Sequence, residues 1–245
     1  MHAIIMGAGE GTRMWPLSSL VNKHLLKLGG KPVIRIIVEK LLTSRNFDNE
    51  DITIVCLKKD TKDYKWEFRD FEVNLHIIEE NKGTANEFYA AMIKTHKEDV
   101  LLHYGDTITD LDYGQFIEFF QKQKNVNAMI AVTQNIRHDY SKVDCGTNVD
   151  GAAGIVQKII EKPQLDFPSW TGIGIFKAGY FAGVYYNLPQ YYNSEDVDFA
   201  YDILPAMVKE GQLWAYQYDG RWFDVGNLRS YQKLAKEYQN KDLNL

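Results

Sequence analysis

Short runs of apolar, often β-branched residues alternate with helical patterns over the first half of the chain. Five runs predict strands: AIIM at 3–6, ITIVCL at 52–57, VNLHII at 73–78, DVLLHY at 99–104 and NAMIAV at 127–132. Between them, apolar residues recur at helical spacing from Pro32 onward, over 84–95 and over 113–124. Strands alternating with helices predict crossover units, and therefore an α/β protein with a Rossmann-like, mostly parallel sheet flanked by helices.

The pattern changes after about residue 135. Turn clusters and short β-like runs fill KVDCGTNVDGAAGIVQKIIEKP, SWTGIGIF at 169–176 is a further candidate strand, and DFAYDILPAMVKEG at 198–211 is helical up to its glycine. We find no low-complexity linker and no internal repeat between the halves. The sequence therefore predicts one domain over 1–245, with a parallel half up to about 135 and a mixed, β-rich half over 136–245.

Composition narrows the classes of function. The 245 residues are 45% hydrophobic and carry a net charge of −5, which fits a globular protein with a substantial core. No block rich in Lys and Arg occurs, so we expect neither nucleic acid nor a membrane as a partner. Cys56 and Cys145 lie far apart, and neither they nor the histidines have metal-ligand spacing. Two unpaired thiols, with no signal segment or membrane-spanning run, predict a cytoplasmic location.

Three sequences follow predicted strands, namely GAGEGTR, ENKGTAN and YGDT, and ligands of parallel sheets bind where strands end. In the first, Gly7, Gly9 and Gly11 are spaced G-x-G-x-G, unlike a dinucleotide-binding turn, and the Gly-Lys-Ser/Thr of a P-loop is absent. A third interpretation is an open loop whose backbone amides surround phosphates, with Arg13 and Lys23 adding charge. A plain turn after a strand is the alternative.

The stretch GAGEGTRMWPLSSLVNKHLLKLGGKPVI resembles the signature of the sugar nucleotidyltransferases: G-x-G-T-R, then P-L, then K-x-L-L, then K-P. Further motifs follow in the order of that family: GTA at 83–85, GD at 105–106, EKP at 161–163, a T-G strand at 171–175, DILP at 202–205 and WFDVGN at 222–227. The resemblance implies a GT-A-like nucleotidyltransferase fold, whose first half binds the nucleotide and whose second half binds a sugar phosphate.

The resemblance also implies a reaction. A sugar 1-phosphate oxygen would attack the α-phosphorus of a nucleoside triphosphate in line, giving an NDP-sugar for glycan or polysaccharide synthesis and releasing pyrophosphate. Like unit charges about 4 Å apart repel by roughly 4 kcal/mol at an effective dielectric near 20, so catalysis is mainly charge neutralisation and alignment. Two alternatives stay open: a cytidylyltransferase for a small phosphorylated alcohol such as phosphocholine, and a catalytically silent regulatory module.

The site residues that the resemblance implies fall into three groups. Gly7, Ala8, Gly9, Gly11, Thr12, Glu79, Glu80, Gly83 and Thr84 would bind the nucleotide, Gly146, Glu161, Lys162, Thr171 and Gly172 would bind the sugar phosphate, and Arg13, Lys23, Asp106 and Lys162 would be catalytic. Arg13 would hold the β- and γ-phosphates, and Lys23 would neutralise the reacting ones. Asp106 and Asp224 would ligate Mg²⁺, the expected cofactor, because hard carboxylate oxygens suit that ion.

The base is predicted from the segment around GTA, which faces the nucleobase in this family. A carboxylate only accepts hydrogen bonds, and guanine offers paired N1 and N2 donors, so Glu79 or Glu80 favours GTP over UTP or dTTP. The MWPLS stretch also resembles the opening loop of mannose-1-phosphate guanylyltransferases. Asn86 and Glu87 stand where the family usually has a small residue, which leaves the shape of the base pocket open. The tyrosines around 180–201 suit a packed core or an oligomer face, and a homo-oligomer stays open.

Overall fold

The computed structural model describes residues 1–134, 142–145, 156–161, 167–189 and 196–239. The strands are β1 (His2–Met6), β2 (Lys27–Leu28), β3 (Lys31–Pro32), β4 (Ile52–Leu57), β5 (Asn74–Ile78), β6 (Asp99–Tyr104), β7 (Thr107–Thr109), β8 (Ala128–Thr133), β9 (Lys142–Cys145), β10 (Val156–Ile160), β11 (Ser169–Lys177), β12 (Leu213–Gln217) and β13 (Trp222–Asp224). The helices are α1 (Val33–Thr43), α2 (Thr61–Glu67), α3 (Thr84–Thr95), α4 (Tyr113–Lys122), α5 (Ala178–Tyr186), α6 (Leu204–Lys209) and α7 (Leu228–Gln239).

One seven-stranded sheet, in the order β12-β8-β11-β6-β1-β4-β5, joins the two halves of the chain. The strands β6, β1, β4 and β5 are parallel neighbours, whereas β11 runs antiparallel to both β6 and β8. Smaller antiparallel pairs are formed by β2 with β3, β7 with β13, and β9 with β10. The predicted α/β fold, with a mostly parallel sheet that becomes mixed in the second half, is confirmed.

The central strands are buried on both faces, which explains their continuous apolar sequences. Successive side chains of a strand point to opposite faces. Ala3 and Ile5 of β1 join a core layer with α1 and α4, whereas Ile4 and Met6 join a second layer with α3 and α5. The hydrophobic core therefore has two layers, one on each face of the sheet.

The predicted elements agree closely with the structure. The five strands predicted in the first half match within a residue, α3 covers the predicted 84–95, and α4 ends two residues early because Gln123 is already extended. The predicted helix over 198–211 begins as a π-helical turn, Phe199–Ile203. Pro205, which has no N–H to donate, lies in the first turn of α6, where the helix tolerates it. No described helix is long and apolar enough to cross a membrane.

Candidate active site

The carboxyl ends of β1 and β6, which are neighbours in the sheet, open onto a cavity of about 340 Å³. Its walls come from the glycine loop after β1, the turn before α3, the end of β6, the strand β11 and the pair β7 and β13. The cavity thus lies at the carboxyl edge of the parallel strands, where ligands of such sheets bind.

The glycine loop is held against the protein by close contacts. The Gly7 N–H donates to the Val55 carbonyl at 2.9 Å, and the Tyr64 hydroxyl donates to the Gly7 carbonyl at 2.8 Å. A Cβ at Gly7 would lie 2.7 Å from the Tyr64 hydroxyl, and one at Gly9 would lie 2.8 Å from Cε of Lys23. Packing within the protein therefore requires glycine at position 7, where a Cβ would also lie 2.9 Å from the Val55 carbonyl oxygen, whereas at position 9 it would displace the end of the flexible Lys23 side chain.

Lys23 and Asp106 form an ion pair inside the cavity. Lys23 begins a short 3-10 turn that the Asn22 side chain caps by accepting from the His24 N–H at 2.9 Å. Asp106 follows β6, and the preceding Gly105 N–H donates to the Met6 carbonyl at 3.0 Å. Burial raises the pKa of Asp106, but the Lys23 ammonium and the other groups around the carboxylate together lower it by more. The Asp106 carboxylate is therefore ionised and paired with a cation.

Asp224 reaches the cavity from the far end of the sequence. Antiparallel pairing of β13 with β7 puts Asp224 opposite Thr107, and the Val225 N–H donates to the Asp106 carbonyl at 2.8 Å. Burial raises the pKa of Asp224, and the negative charge of Asp106 raises it further. The site therefore holds two neighbouring carboxylates that repel each other.

These two carboxylates fit a divalent cation. Within the described part of the chain, no cluster of three or more His, Cys, Asp or Glu side chains could hold a metal by itself. Mg²⁺ is usually bound by one or two carboxylates together with substrate phosphates and waters, and hard oxygen donors suit it. A cation between Asp106 and Asp224 would also relieve the repulsion that raises the pKa of Asp224.

Arg13 extends the positive charge to the rim of the cavity. Its side chain is exposed, and its charge opposes the rise in the pKa of Asp224. A Cβ at Gly226 would lie 2.6 Å from Oδ1 of Asp224 and 2.9 Å from a guanidinium nitrogen of Arg13. Because Gly226 has no Cβ, the side chains of Asp224 and Arg13 can occupy the space beside it.

The GTA turn is fastened to the second half of the chain. The Thr84 hydroxyl donates to Oδ2 of Asp198 at 2.8 Å and accepts from the Phe199 N–H at 3.1 Å. Gly83 has a φ of 97°, and a Cβ there would lie 2.4 Å from the Val197 carbonyl oxygen. The Thr84 hydroxyl is thus committed to holding the turn, although the residue also lines the cavity.

The two glutamates predicted to read the base lie outside the cavity. Glu79 pairs with Lys58 at 2.6 Å and Glu80 pairs with Lys82 at 3.2 Å, and all four side chains are largely exposed. Of the other predicted nucleotide-binding residues, Ala8, Gly9 and Thr84 line the cavity, whereas Gly7, Gly11, Thr12 and Gly83 support its walls or lie beside them.

The predicted sugar-binding residues are only partly brought together. Thr171 and Gly172 line the cavity, and Gly172 adopts a φ of 78° against the Tyr104 ring. Glu161 is exposed at the end of β10 and does not line the cavity. Gly146 and Lys162 lie outside the described residues.

Several lining residues had no assigned role in the sequence, among them His24, Asn81, Glu87, Trp170 and Trp222. Burial lowers the pKa of His24 to about 3, and the neighbouring Lys23 lowers it too, so this ring is neutral. Its Nδ1 donates to Oδ1 of Asn22 at 2.8 Å, which makes it a support for the Lys23 turn. The sequence could not have predicted this role, because it depends on the conformation of the short turn that brings His24 onto Asn22.

A glycine loop beside paired cations and carboxylates, at the carboxyl edge of a mostly parallel sheet, defines an α/β protein with a site for a phosphorylated ligand. The chain belongs to the nucleotidyl transferase family, whose model matches residues 2–241. The predicted family is therefore confirmed.

Several known proteins are similar to this chain at low sequence identity. The chain is 26% identical to the glucose-1-phosphate adenylyltransferase of Acetivibrio thermocellus, over 94% of this chain and 58% of that protein. It is 27% identical to the mannose-1-phosphate guanyltransferase of Schizosaccharomyces pombe, over 94% of this chain and 62% of that protein. The chain thus spans less than two thirds of the length of these curated relatives. The crystal structure of HddC from Yersinia pseudotuberculosis matches with a TM-score of 0.70 at 22% identity, over 97% of this chain and all (100%) of that one.

Proposed function

We propose that this protein transfers a nucleoside monophosphate from a nucleoside triphosphate to a sugar 1-phosphate, with release of pyrophosphate. The observation that carries the proposal is the gathering of Arg13, Lys23, Asp106 and Asp224 around one cavity in a member of the nucleotidyl transferase family. The names of the relatives support a sugar 1-phosphate as the acceptor, in preference to a phosphorylated alcohol. The proposal places the protein in the cytoplasm, and its buried free Cys56 suits that compartment.

The chemistry needs charge neutralisation and alignment, which these residues supply. Arg13 at the rim would hold the β- and γ-phosphates, which leave as pyrophosphate. Lys23 lies deeper, beside Asp106, and would neutralise the α-phosphate while the sugar phosphate oxygen attacks. The attacking oxygen is already ionised, so no side chain has to remove a proton from it.

Mg²⁺ is part of the proposal, with Asp106 and Asp224 as the residues that would hold it. When bound, the ion supplies positive charge to phosphate oxygens that would otherwise repel one another. If Asp106 also held the ion, the Lys23 ammonium would still have N–H donors to offer a phosphate. Lys162 stays a prediction for the sugar phosphate: Lys162→Ala should weaken binding of the sugar phosphate far more than binding of the triphosphate, in calorimetric titrations of each ligand.

The test is pyrophosphate release, measured with each of the five common nucleoside triphosphates against glucose 1-phosphate, mannose 1-phosphate and phosphocholine, in the presence of Mg²⁺. We expect release that requires both a triphosphate and a sugar phosphate. Lys23→Met should reduce the rate by roughly a hundredfold or more, because it removes charge at the reacting phosphate. Lys27→Met, an exposed lysine four residues further on, is the control and should keep the wild-type rate.

The other two hypotheses give different results in the same assay. If pyrophosphate is released with the pair CTP and phosphocholine and with no other pair, the cytidylyltransferase hypothesis is supported. Binding of nucleotide with no release for any pair of substrates would support the silent module.

A further inference from the structure

A third acidic side chain faces the cavity. Of the described lining residues, Asp106, Asp224 and Glu87 are acidic, and Glu87 lies in the first turn of α3, next to the GTA motif. Its side chain is almost fully buried, with 7% of the residue exposed. Asp106 forms an ion pair with Lys23, whereas no described cationic side chain forms an ion pair with Glu87.

Glu87 is only partly satisfied by the protein. Its Oε1 accepts from the Lys82 N–H at 3.2 Å, and among the described residues no group donates to Oε2. Burial raises the pKa of Glu87, the N–H and the charge of Lys82 oppose this rise, and the charges of Asp196 and Glu80 add to it. A buried carboxylate with free acceptor positions costs free energy unless a donor from a ligand meets it.

The chemistry around Glu87 specifies what such a ligand must offer. A phosphate is excluded, because it would add negative charge beside Glu87, Asp196 and Glu80. A triphosphate held by Arg13 and Lys23 leaves its uncharged base to fill the remaining part of the cavity, where Asn81 and Glu87 lie. The required group therefore presents N–H or O–H donors, and of the two substrates the base is the part expected beside the turn that bears GTA, next to which Glu87 lies.

We propose that Glu87 reads the nucleobase and selects guanine, by accepting hydrogen bonds from its N1–H and N2–H groups. This inference rests on the proposed function, since it assumes that the cavity holds a nucleoside triphosphate. Guanine presents those two donors side by side, adenine and cytosine present one donor beside a ring-nitrogen acceptor, and uracil and thymine present one N–H between two carbonyls.

Asn81 complements this recognition. Its Oδ1 accepts from the Gly83 N–H at 3.0 Å, so the amide nitrogen of the side chain is the group left to contact a ligand. Guanine O6 adjoins N1–H and needs a donor. An amide nitrogen and a carboxylate lining the same cavity together match the O6, N1 and N2 edge of guanine.

The rival explanation is purely structural, with Glu87 serving to hold the turn at Lys82. Glu87→Gln separates the two roles, because glutamine keeps an oxygen for the Lys82 N–H and replaces only the second oxygen with a donor. A donor would face the N1–H or N2–H of guanine and repel it. Glu80→Gln is the matched control, since Glu80 is exposed and lies outside the cavity.

The experiment is calorimetric binding of GDP, IDP and ADP to the wild type and both variants, with thermal unfolding as the check on folding. IDP is the probe for N2, which inosine lacks. We expect the wild type to bind GDP roughly tenfold or more tightly than IDP or ADP, and Glu87→Gln to remove that preference. Glu80→Gln should bind as the wild type does.

Two outcomes overturn the inference: a wild type that binds IDP or ADP as tightly as GDP, or a Glu87→Gln protein that keeps the wild-type ratio. If Glu87→Gln does not fold, the wild type is titrated with 1-methylguanosine diphosphate, which lacks the N1–H donor. We expect it to bind as poorly as IDP, and binding as tight as that of GDP overturns the inference. These titrations need no turnover. If the wild type releases no pyrophosphate with any substrate pair, the proposed function is refuted. If Glu87→Gln keeps the wild-type ratio of the affinities for GDP and IDP, only the role of Glu87 is refuted.

Discussion

Asp106 and Asp224 line the same cavity, yet their pKa values shift in opposite directions. The pKa of Asp106 falls because the Lys23 ammonium and the other groups around the carboxylate together outweigh burial, whereas that of Asp224 rises through burial and the charge of Asp106. A group whose ionised form is stabilised by the fold contributes to stability, and one whose ionised form is disfavoured reduces it. At neutral pH the Asp106 charge therefore stabilises the fold, and the Asp224 charge costs stability.

This difference predicts opposite effects of two matched substitutions on stability. Asp106→Asn should lower the free energy of unfolding by about 1–3 kcal/mol, because Lys23 loses its charged partner. Asp224→Asn should raise it, because a repelling charge is removed. Both variants should lose turnover by roughly a hundredfold or more, if the two carboxylates hold Mg²⁺. Urea unfolding at pH 7 without Mg²⁺, together with initial rates in excess Mg²⁺, measures both quantities.

The metal assignment has a separate readout. Mg²⁺ should raise the melting temperature of the wild type in the presence of nucleotide, and should raise it less in both variants. Near-normal rates in either variant, or a wild type that is fully active in excess chelator, would remove Asp106 and Asp224 from the metal site.

Gly226→Ala tests whether the room beside Asp224 and Arg13 is needed. The new Cβ would displace the ends of two flexible side chains, so we expect activity to fall while the free energy of unfolding changes little. Gly183→Ala is the matched control: it lies within α5 with nothing within 4 Å of the added Cβ. It should keep full activity and stabilise the protein by about 0.5–1 kcal/mol. Equal loss of activity in both variants would contradict this role for Gly226.

At the residue scale, the sequence identified Arg13, Lys23 and Asp106 as residues of the cavity, but it did not identify Asn81 and Glu87. Arg13, Lys23 and Asp106 stand in motifs whose order identifies the family, and all three line the cavity. Glu87 and Asn81 could not be distinguished from Glu79 and Glu80, because all four lie within nine residues of each other. Which carboxylate faces inward depends on how the turn before α3 packs, and that packing is fixed by residues far away in the sequence.

At the element scale, the strands that were predicted best are the most buried ones. β1 and β4 are buried along their whole length, and all of their residues except His2 and Thr53 are apolar, so their pattern is clear. The helix α5 has no such signal, since AGYFAGVYY is apolar on every side and carries no amphipathic stripe. The three-residue strands β7 and β13 were also missed, because only their pairing with each other makes them strands.

The start of α3 links the two halves of the chain. Thr84 and Gly83 are held by Asp198 and Val197, which lie between α5 and α6. The turn that bears the proposed base-reading residues therefore depends on a segment more than a hundred positions later, as the 114-residue separation of Thr84 and Asp198 shows. Helical periodicity gave the length of α3, but it carried no information about this contact.

At the scale of the whole molecule, buried histidines make stability depend on pH, and three of them have strongly lowered pKa values. Burial lowers the pKa of His2 to about 4, of His24 to about 3 and of His103 to about 4. His103 is satisfied as a neutral ring: Nδ1 donates to the Tyr104 carbonyl at 2.8 Å, and Nε2 accepts from the Tyr113 hydroxyl at 2.7 Å. The unfolded chain takes up these protons near pH 6.5, before the folded protein does.

The free energy of unfolding should therefore fall as the pH drops from about 6.5 towards 4. For His103 alone, a shift from 6.5 to about 4 corresponds to a loss of about 2 kcal/mol at pH 5 relative to pH 7 or above. His103→Gln should have a lower free energy of unfolding than the wild type at pH 7. Between pH 7 and pH 5, however, its free energy of unfolding should fall by about 2 kcal/mol less than that of the wild type. Urea unfolding at a series of pH values measures this slope.

The control is His96→Asn, at the exposed, left-handed end of α3, a position that asparagine tolerates. It should keep the wild-type dependence of stability on pH. If His103→Gln follows the same curve as the wild type, His103 is not the group that takes up the proton.

The pairing of β7 with β13 has a consequence for the order in which the protein is made. A ribosome releases β1, β4 and β6 first, so the parallel core can collapse while the later chain is still being synthesised. Asp224 emerges long after Asp106, and the pair β7 and β13 closes only then. A nascent chain halted between β7 and β13 would thus display the glycine loop, Lys23 and Asp106 without Asp224, and would acquire the second carboxylate only once β13 has been made.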